Sequence, residues 1–177
     1  MKYEYSLAAR FGLAFLTFLV YDLFYVIFSP LTVFFSFLLL YLLGYSPILN
    51  ISSNSIIVYG HTLDFIPACT AASAYFLLVI LILLTKNIKI LTRIYMFLIG
   101  SFLILAINII RIDILIIILI KYSKVTFETV HLLFWKMLST IIVALIWITL
   151  TFIFKVKTIP VVSDIVHLIK IIRKKIT

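Results

Sequence analysis

A single cysteine, Cys69, in 177 residues excludes an intrachain disulfide and a thiolate zinc cluster. Charge is equally scarce. Only 12% of the residues are charged and 66% are hydrophobic, whereas soluble domains carry about 25% charged residues. An ordinary soluble domain is therefore excluded. The three histidines, His61, His131 and His167, stand at unrelated places and form no ligand set, so no metal and no other cofactor is expected. There is no internal repeat and no pair of Gly/Pro-broken helices, which argues against many transporter architectures. No small-residue cleavage site follows the apolar segment after Lys2 and Arg10, so that segment is expected to be an uncleaved anchor. Nor do basic and aromatic residues interleave on a soluble face. The net charge of +9 thus points to cytoplasmic loops and anionic lipid headgroups as partners, not to nucleic acid.

What the chain has in quantity is long apolar runs. A spanning helix needs about 20 residues. The pattern predicts an all-α polytopic membrane protein of four to five transmembrane helices, with spans at about 7–28, 69–85, 91–121 and 131–154. Ser29-Pro30 is expected to end the first span. The stretch 31–43 then reads as a short interfacial or re-entrant helix. Between Ile48 and Pro67 the composition turns polar, and two β-rich runs around Gly60 predict a small hairpin over 56–66, outside the bilayer and just before the helix that carries Cys69. Residues 1–157 form one integral membrane domain and 158–177 a basic amphipathic cytoplasmic tail. Ser163 caps that tail, and Ile165, Leu168, Ile169, Ile172 and Ile176 form its apolar stripe.

Eleven of the fifteen Lys and Arg residues fall on one side if the N-terminus is inside and 31–43 does not cross. The positive-inside rule selects that arrangement. It puts Cys69, Arg111 and His131 together at the outer ends of their helices.

Cys69 is expected in the first turn of its helix, where free N–H groups and the dipole lower a thiol pKa. Taken alone, it also reads as a small packing residue. An arginine inside a membrane segment costs about 2.5–3.5 kcal/mol at the centre. Arg111 near the outer boundary reads either as a snorkelling side chain or, with Asn108 three residues earlier on the same face, as a fork of donors turned into the bundle. His131 opens its helix and exchanges protons near neutral pH. Glu128 either orients it or caps the helix start. Asp22, Asp113 and Lys136 each need a partner near hydrocarbon, and Asp22 and Lys136 form a possible pair. A thiol, a guanidinium and an imidazole on one membrane face point to cleavage of a peptide bond.

The stretches Pro67-Ala68-Cys69-Thr70-Ala71, Asn108-Ile109-Ile110-Arg111-Ile112 and His131, in this order, resemble the exosortase/archaeosortase family. The Gly60 hairpin and the region from Glu128-Thr129-Val130-His131 to Trp135 fit as well. The resemblance covers roughly Ile56 to Trp147. Many members carry glycine where this chain has Ala71. The resemblance implies a cell-membrane cysteine protease or transpeptidase, with its active site on the extracytoplasmic face. Its substrates are exported surface proteins with a C-terminal sorting signal: a motif, a transmembrane helix and a basic tail. Carried over, Cys69 is the nucleophile, Arg111 the essential cation and His131 the acid–base group, with Asn108, Glu128 and Thr70 in support. Water, or an amine on a lipid or glycan acceptor, resolves the thioester. Two other classes remain open on the residues. One is a small transporter or proton channel lined by Asn108, Arg111, Asp113, Asp22 and Lys136. The other is a non-catalytic lipid-binding assembly subunit in which Arg111 grips a phosphate.

Overall fold

A computed structural model describes residues 11–86, 88–122 and 124–156, leaving aside the side chains of residues 124 and 135–139. The tail over 158–177, the cations Lys2 and Arg10, and the Lys136 side chain of the expected Asp22–Lys136 pair lie outside this description. The chain is mostly helical, with one small sheet. Helix α1 (Tyr21–Leu42) is preceded by a 3-10 turn (Thr17–Val20). Helical residues continue back to Phe11, so Phe11–Leu42 is one rod. Then come β1 (Ile48–Asn50), β2 (Ser55–Val58) and β3 (His61–Asp64), followed by α2 (Ala72–Leu84) and α3 (Ile90–Lys121). Helix α4 (Lys124–Met137) passes through a π-helical turn (Leu138–Ile142) into α5 (Val143–Ile153).

Among the described residues two helices, Phe11–Leu42 and Ile90–Lys121, are long and apolar enough to cross a membrane. At 32 residues each they reach about 48 Å. Helix α2 has 13 residues and reaches about 20 Å. The expectation of a first span ending at Ser29-Pro30 and a separate short helix over 31–43 is overturned, because Pro30 lies inside α1. Proline removes one backbone donor. The helix continues through it nonetheless, and proline is tolerated inside apolar helices whose neighbours hold them in place. The expected polar loop before His131 is also corrected. Helix α4 starts at Lys124, so His131 lies in mid-helix.

Helix α2 is the hub. Its Ala74, Tyr75, Leu78 and Ile82 are buried against Met96 and Ile104 of α3 and Val143, Trp147 and Leu150 of α5. Tyr75 stacks on Phe28 of α1 with ring centres 3.7 Å apart. A second cluster roofs one end, where Ile56 and Val58 of β2 and Phe65 pack on Val33 and Leu40 of α1 and on Ile112 and Ile116 of α3. The sheet is antiparallel in the order β1-β2-β3. Tyr59-Gly60 closes β2 to β3 with φ of 48° and 80°, the left-handed pair of a two-residue hairpin turn. The hairpin is thus where the spacing put it, with β1 as an added strand.

Outward-facing side chains on the helices are apolar and large, among them Phe15, Leu19, Leu42, Phe102 and Phe152. Soluble monomers rarely expose so continuous an apolar surface.

Close approach of α2, α3 and α5 depends on Gly100. A Cβ there would lie 2.7 Å from Leu78 Cδ2 and 3.0 Å from Leu150 Cδ1. Both leucines are fully buried. Overpacking of this kind costs about 1–3 kcal/mol. Gly100→Val should therefore lower the thermal unfolding midpoint of the detergent-solubilised protein by several degrees. Gly12→Val, whose Cβ meets nothing within 4 Å, should leave it nearly unchanged. Equal midpoints for the two variants would contradict this packing.

Candidate active site

The site is assembled on a turn, not on a helix end. Cys69 N–H donates to the Ile66 carbonyl at 2.8 Å and Thr70 N–H to the same oxygen at 3.2 Å. Helix α2 begins three residues after Cys69, and its N-cap, Ala71, is left-handed with φ 55°. A non-glycine residue there costs roughly 1–2 kcal/mol. The expectation that Cys69 occupies the first helical turn and is ionised by the dipole is corrected on this point. Burial pushes the Cys69 thiol up, and the Arg111 charge and a backbone hydrogen bond at Ile66 offset only part of that rise.

Two side chains of α3 hold this turn. Asn108 Nδ2 donates to the Cys69 carbonyl oxygen at 2.9 Å, and Arg111 Nη2 donates to the same oxygen at 3.0 Å. Both residues are buried, with Asn108 at 0% and Arg111 at 3% exposure, so Arg111 is turned inward and does not snorkel. The spacing of three residues puts both donors on one face of α3. Two acceptances saturate that carbonyl. The Asn108 amide nitrogen therefore positions Cys69. Arg111 Nε and Asn108 Oδ1 are buried without a hydrogen bond among the described residues.

Cys69, Arg111 and His131 line one cavity of about 770 Å³. Its walls are the strand side from Gly60 to Phe65, the apolar C-terminal part of α3 and Phe127 of α4. Phe127 stacks on the His131 ring at 5.7 Å and 21°, which fixes the plane of the imidazole. His131 Nδ1 has no hydrogen-bond partner among the described residues.

The supporting residues do not join this lining. Thr70 is buried, and its hydroxyl donates to the Pro67 carbonyl at 3.2 Å, tightening the turn. Glu128 is exposed one turn before His131, inside α4, so it is not the residue that caps the helix start. Asp113 is buried on another face of α3, toward the Ser36 hydroxyl of α1. Neither carboxylate oxygen has a hydrogen-bond partner among the described residues. Asp22 is exposed in the first turn of α1. His61, read from sequence as a loop or surface residue, and Asp64, read as part of the hairpin's second run, both lie in β3 and border the cavity. The signal for them was the two-residue turn, which puts the next strand alongside the cysteine turn.

A thiol, a fixed cation and an oriented imidazole in one cavity supply a nucleophile, a site for negative charge and a proton carrier. Among the described residues no group of three His, Cys, Asp or Glu side chains is placed to hold a metal ion. No family model, curated protein or solved structure matches the chain.

The raised thiol has a measurable consequence. The rate of iodoacetamide alkylation of Cys69 should rise with pH through a midpoint above that of a free cysteine. Arg111→Gln removes a charge that favours the thiolate and should move the midpoint higher still. A shift to lower pH in that variant would contradict the electrostatics described.

Proposed function

We propose that this chain is a multi-pass membrane cysteine peptidase or transpeptidase, similar to the exosortase/archaeosortase family, that cuts the C-terminal sorting signal of exported proteins. The shared cavity carries this reading. Three side chains from three separate segments, each with a chemistry that acyl transfer needs, face one space of ligand-site size. His131 takes the proton of the half-buried thiol, and the Cys69 sulfur attacks the scissile carbonyl carbon. Arg111 keeps one nitrogen on the Cys69 carbonyl and offers the rest of its fork to the developing oxyanion. His131 then protonates the leaving amine as the C–N bond breaks. Water or an acceptor amine cleaves the thioester and returns the proton to Cys69.

The chain crosses the membrane four times in this reading, through Phe11–Leu42, α2, α3 and the helical path of α4 and α5. The N-terminus is inside, and the sheet and cavity are outside. The short α2 fits, because irregular backbone at membrane depth is tolerated where it lines a cavity. The channel alternative is less well supported. Asp22 and Asp113 do not border the cavity that contains Arg111.

Topology and chemistry are tested separately. In a Cys69→Ala background, Thr62→Cys and Val125→Cys should react with an impermeant maleimide in intact cells. Ile88→Cys should react only in inside-out vesicles, and its labelling in intact cells would sink the arrangement. For the chemistry, the substrate is a reporter fused to a motif–helix–basic C-terminal tail from the same genome. Cys69→Ala should abolish cleavage. Arg111→Lys should fail nearly as badly, since lysine keeps the charge and loses the planar fork. His131→Ala should slow acyl-enzyme formation. Normal maturation by Cys69→Ala would exclude the peptidase reading.

A further inference from the structure

One wall of the cavity has no role in the proposed chemistry. Six consecutive residues, Gly60 to Phe65, border the space that also holds Cys69, Arg111 and His131. Strand side chains alternate between the two faces of a sheet. A sheet turned face-on to a cavity would offer every second residue, whereas an unbroken run is what an edge offers. Strand β3 is an edge, since the order is β1-β2-β3 and β2 lies on its other side.

The register shows which backbone groups point outward. Phe65 N–H donates to the Asn54 carbonyl at 3.1 Å, so these two residues are a bonded pair. Bonded and non-bonded pairs alternate along an antiparallel ladder. Ile56 with Leu63 and Val58 with His61 are therefore bonded pairs as well. The tight Tyr59-Gly60 turn agrees, since a bonded pair closes a two-residue hairpin. The N–H and C=O groups of Thr62 and Asp64 consequently point away from β2. Both residues are exposed. The strand, His-Thr-Leu-Asp, carries none of the lysine or proline that commonly blunts an open edge.

We propose that the outer edge of β3 receives an extended peptide as a fourth strand, hydrogen-bonded to the backbone of Thr62 and Asp64, which delivers its scissile bond to Cys69. This rests on the reading of Cys69 as nucleophile and names how its substrate is held. An added strand lies about 4.8 Å from β3, on the side where the cavity opens between the strand and α3. Main-chain bonds supply the affinity, and pockets for alternate side chains supply the selectivity. A peptide fits this edge better than a second copy of the chain does, because the edge faces into the cavity of Cys69, Arg111 and His131 and a whole sheet would have to enter it.

The test uses the full chain in detergent, where Cys69 is the only thiol. The probe is acetyl-tetra-alanyl chloromethyl ketone, whose small side chains leave mainly backbone contacts. Chloroacetone is the reference reagent, and alkylation is followed by intact mass. The peptide reagent should label Cys69 at least roughly tenfold faster than chloroacetone, a factor equivalent to about 1.4 kcal/mol. Thr62→Pro removes one outward N–H and fills the edge with a ring, in a place where an edge strand tolerates proline. It should reduce the advantage to about twofold or less, while Thr62→Ala keeps it. Single N-methylation of the reagent at the amides that face β3 should do the same on the unmodified protein, so the result does not depend on the proline variant folding. A peptide advantage that survives both Thr62→Pro and every N-methylation overturns the proposal. So does a Thr62→Pro variant that dissociates a dimer on gel filtration while peptide labelling is unchanged, which would assign the edge to a second copy. Failure of strand addition alone leaves reporter cleavage dependent on Cys69. Failure of the nucleophile reading shows instead as cleavage by Cys69→Ala.

Discussion

The Cys69 carbonyl oxygen, held at once by Asn108 and Arg111, is the contact on which the site depends. A buried carbonyl left alone costs about 1–3 kcal/mol, and hydrogen bonds to a charged donor contribute about 1.5–3 kcal/mol. An arginine buried without an acceptor is costlier still. Each partner therefore requires the other. The turn can stay irregular because α3 satisfies it, and Arg111 can face inward because the turn offers it an oxygen. The same long helix ties down the far end of α2. Arg93 Nη2 donates to the Thr85 carbonyl at 3.0 Å, and its Nη1 reaches the Leu83 carbonyl at 3.4 Å. These are the orphan acceptors at the C-terminus of α2, where a cation also complements the dipole. Helix α3 thus grips α2 at both ends, and the separation of the two grips fixes how deep Cys69 sits.

Much of this was legible from hydropathy and spacing. The long apolar run from Leu91 to Lys121 is one helix, and Asn108 and Arg111 share a face because three residues make most of a turn. The hairpin was legible because Tyr59-Gly60 separates two β-rich runs. The extra strand β1 was not, since three residues, Ile48 to Asn50, are too few for a period. Three boundaries were misread for separate physical reasons. Pro30 reads as a stop because it lacks a backbone donor, yet packing carries the helix through it to Leu42. Lys121 to Thr129 reads as a polar loop, yet from Lys124 onward it is the first part of α4. Helix α2 starts late because Ala71 adopts a left-handed conformation that no alanine announces in sequence.

The late start of α2 changes the chemistry asked of the site. A cysteine in a first helical turn would draw on the dipole for its thiolate. Cys69 stands before the helix, and burial pushes its thiol pKa up. The Arg111 charge lowers it by less than burial raises it. The proposed acyl transfer therefore needs a base in the same cavity. His131 is suited to that role, with its ring plane set by Phe127 and its Nδ1 without a partner among the described residues. It rides on α4, which packs on α3 and continues into α5 through a π-helical turn, a local irregularity frequent at functional sites. Cysteine and cation are locked to each other through the backbone, while the proton carrier approaches from a separately packed helix. In the proposed reaction His131 therefore meets Cys69 across the shared cavity, and a substrate bound between them completes the geometry.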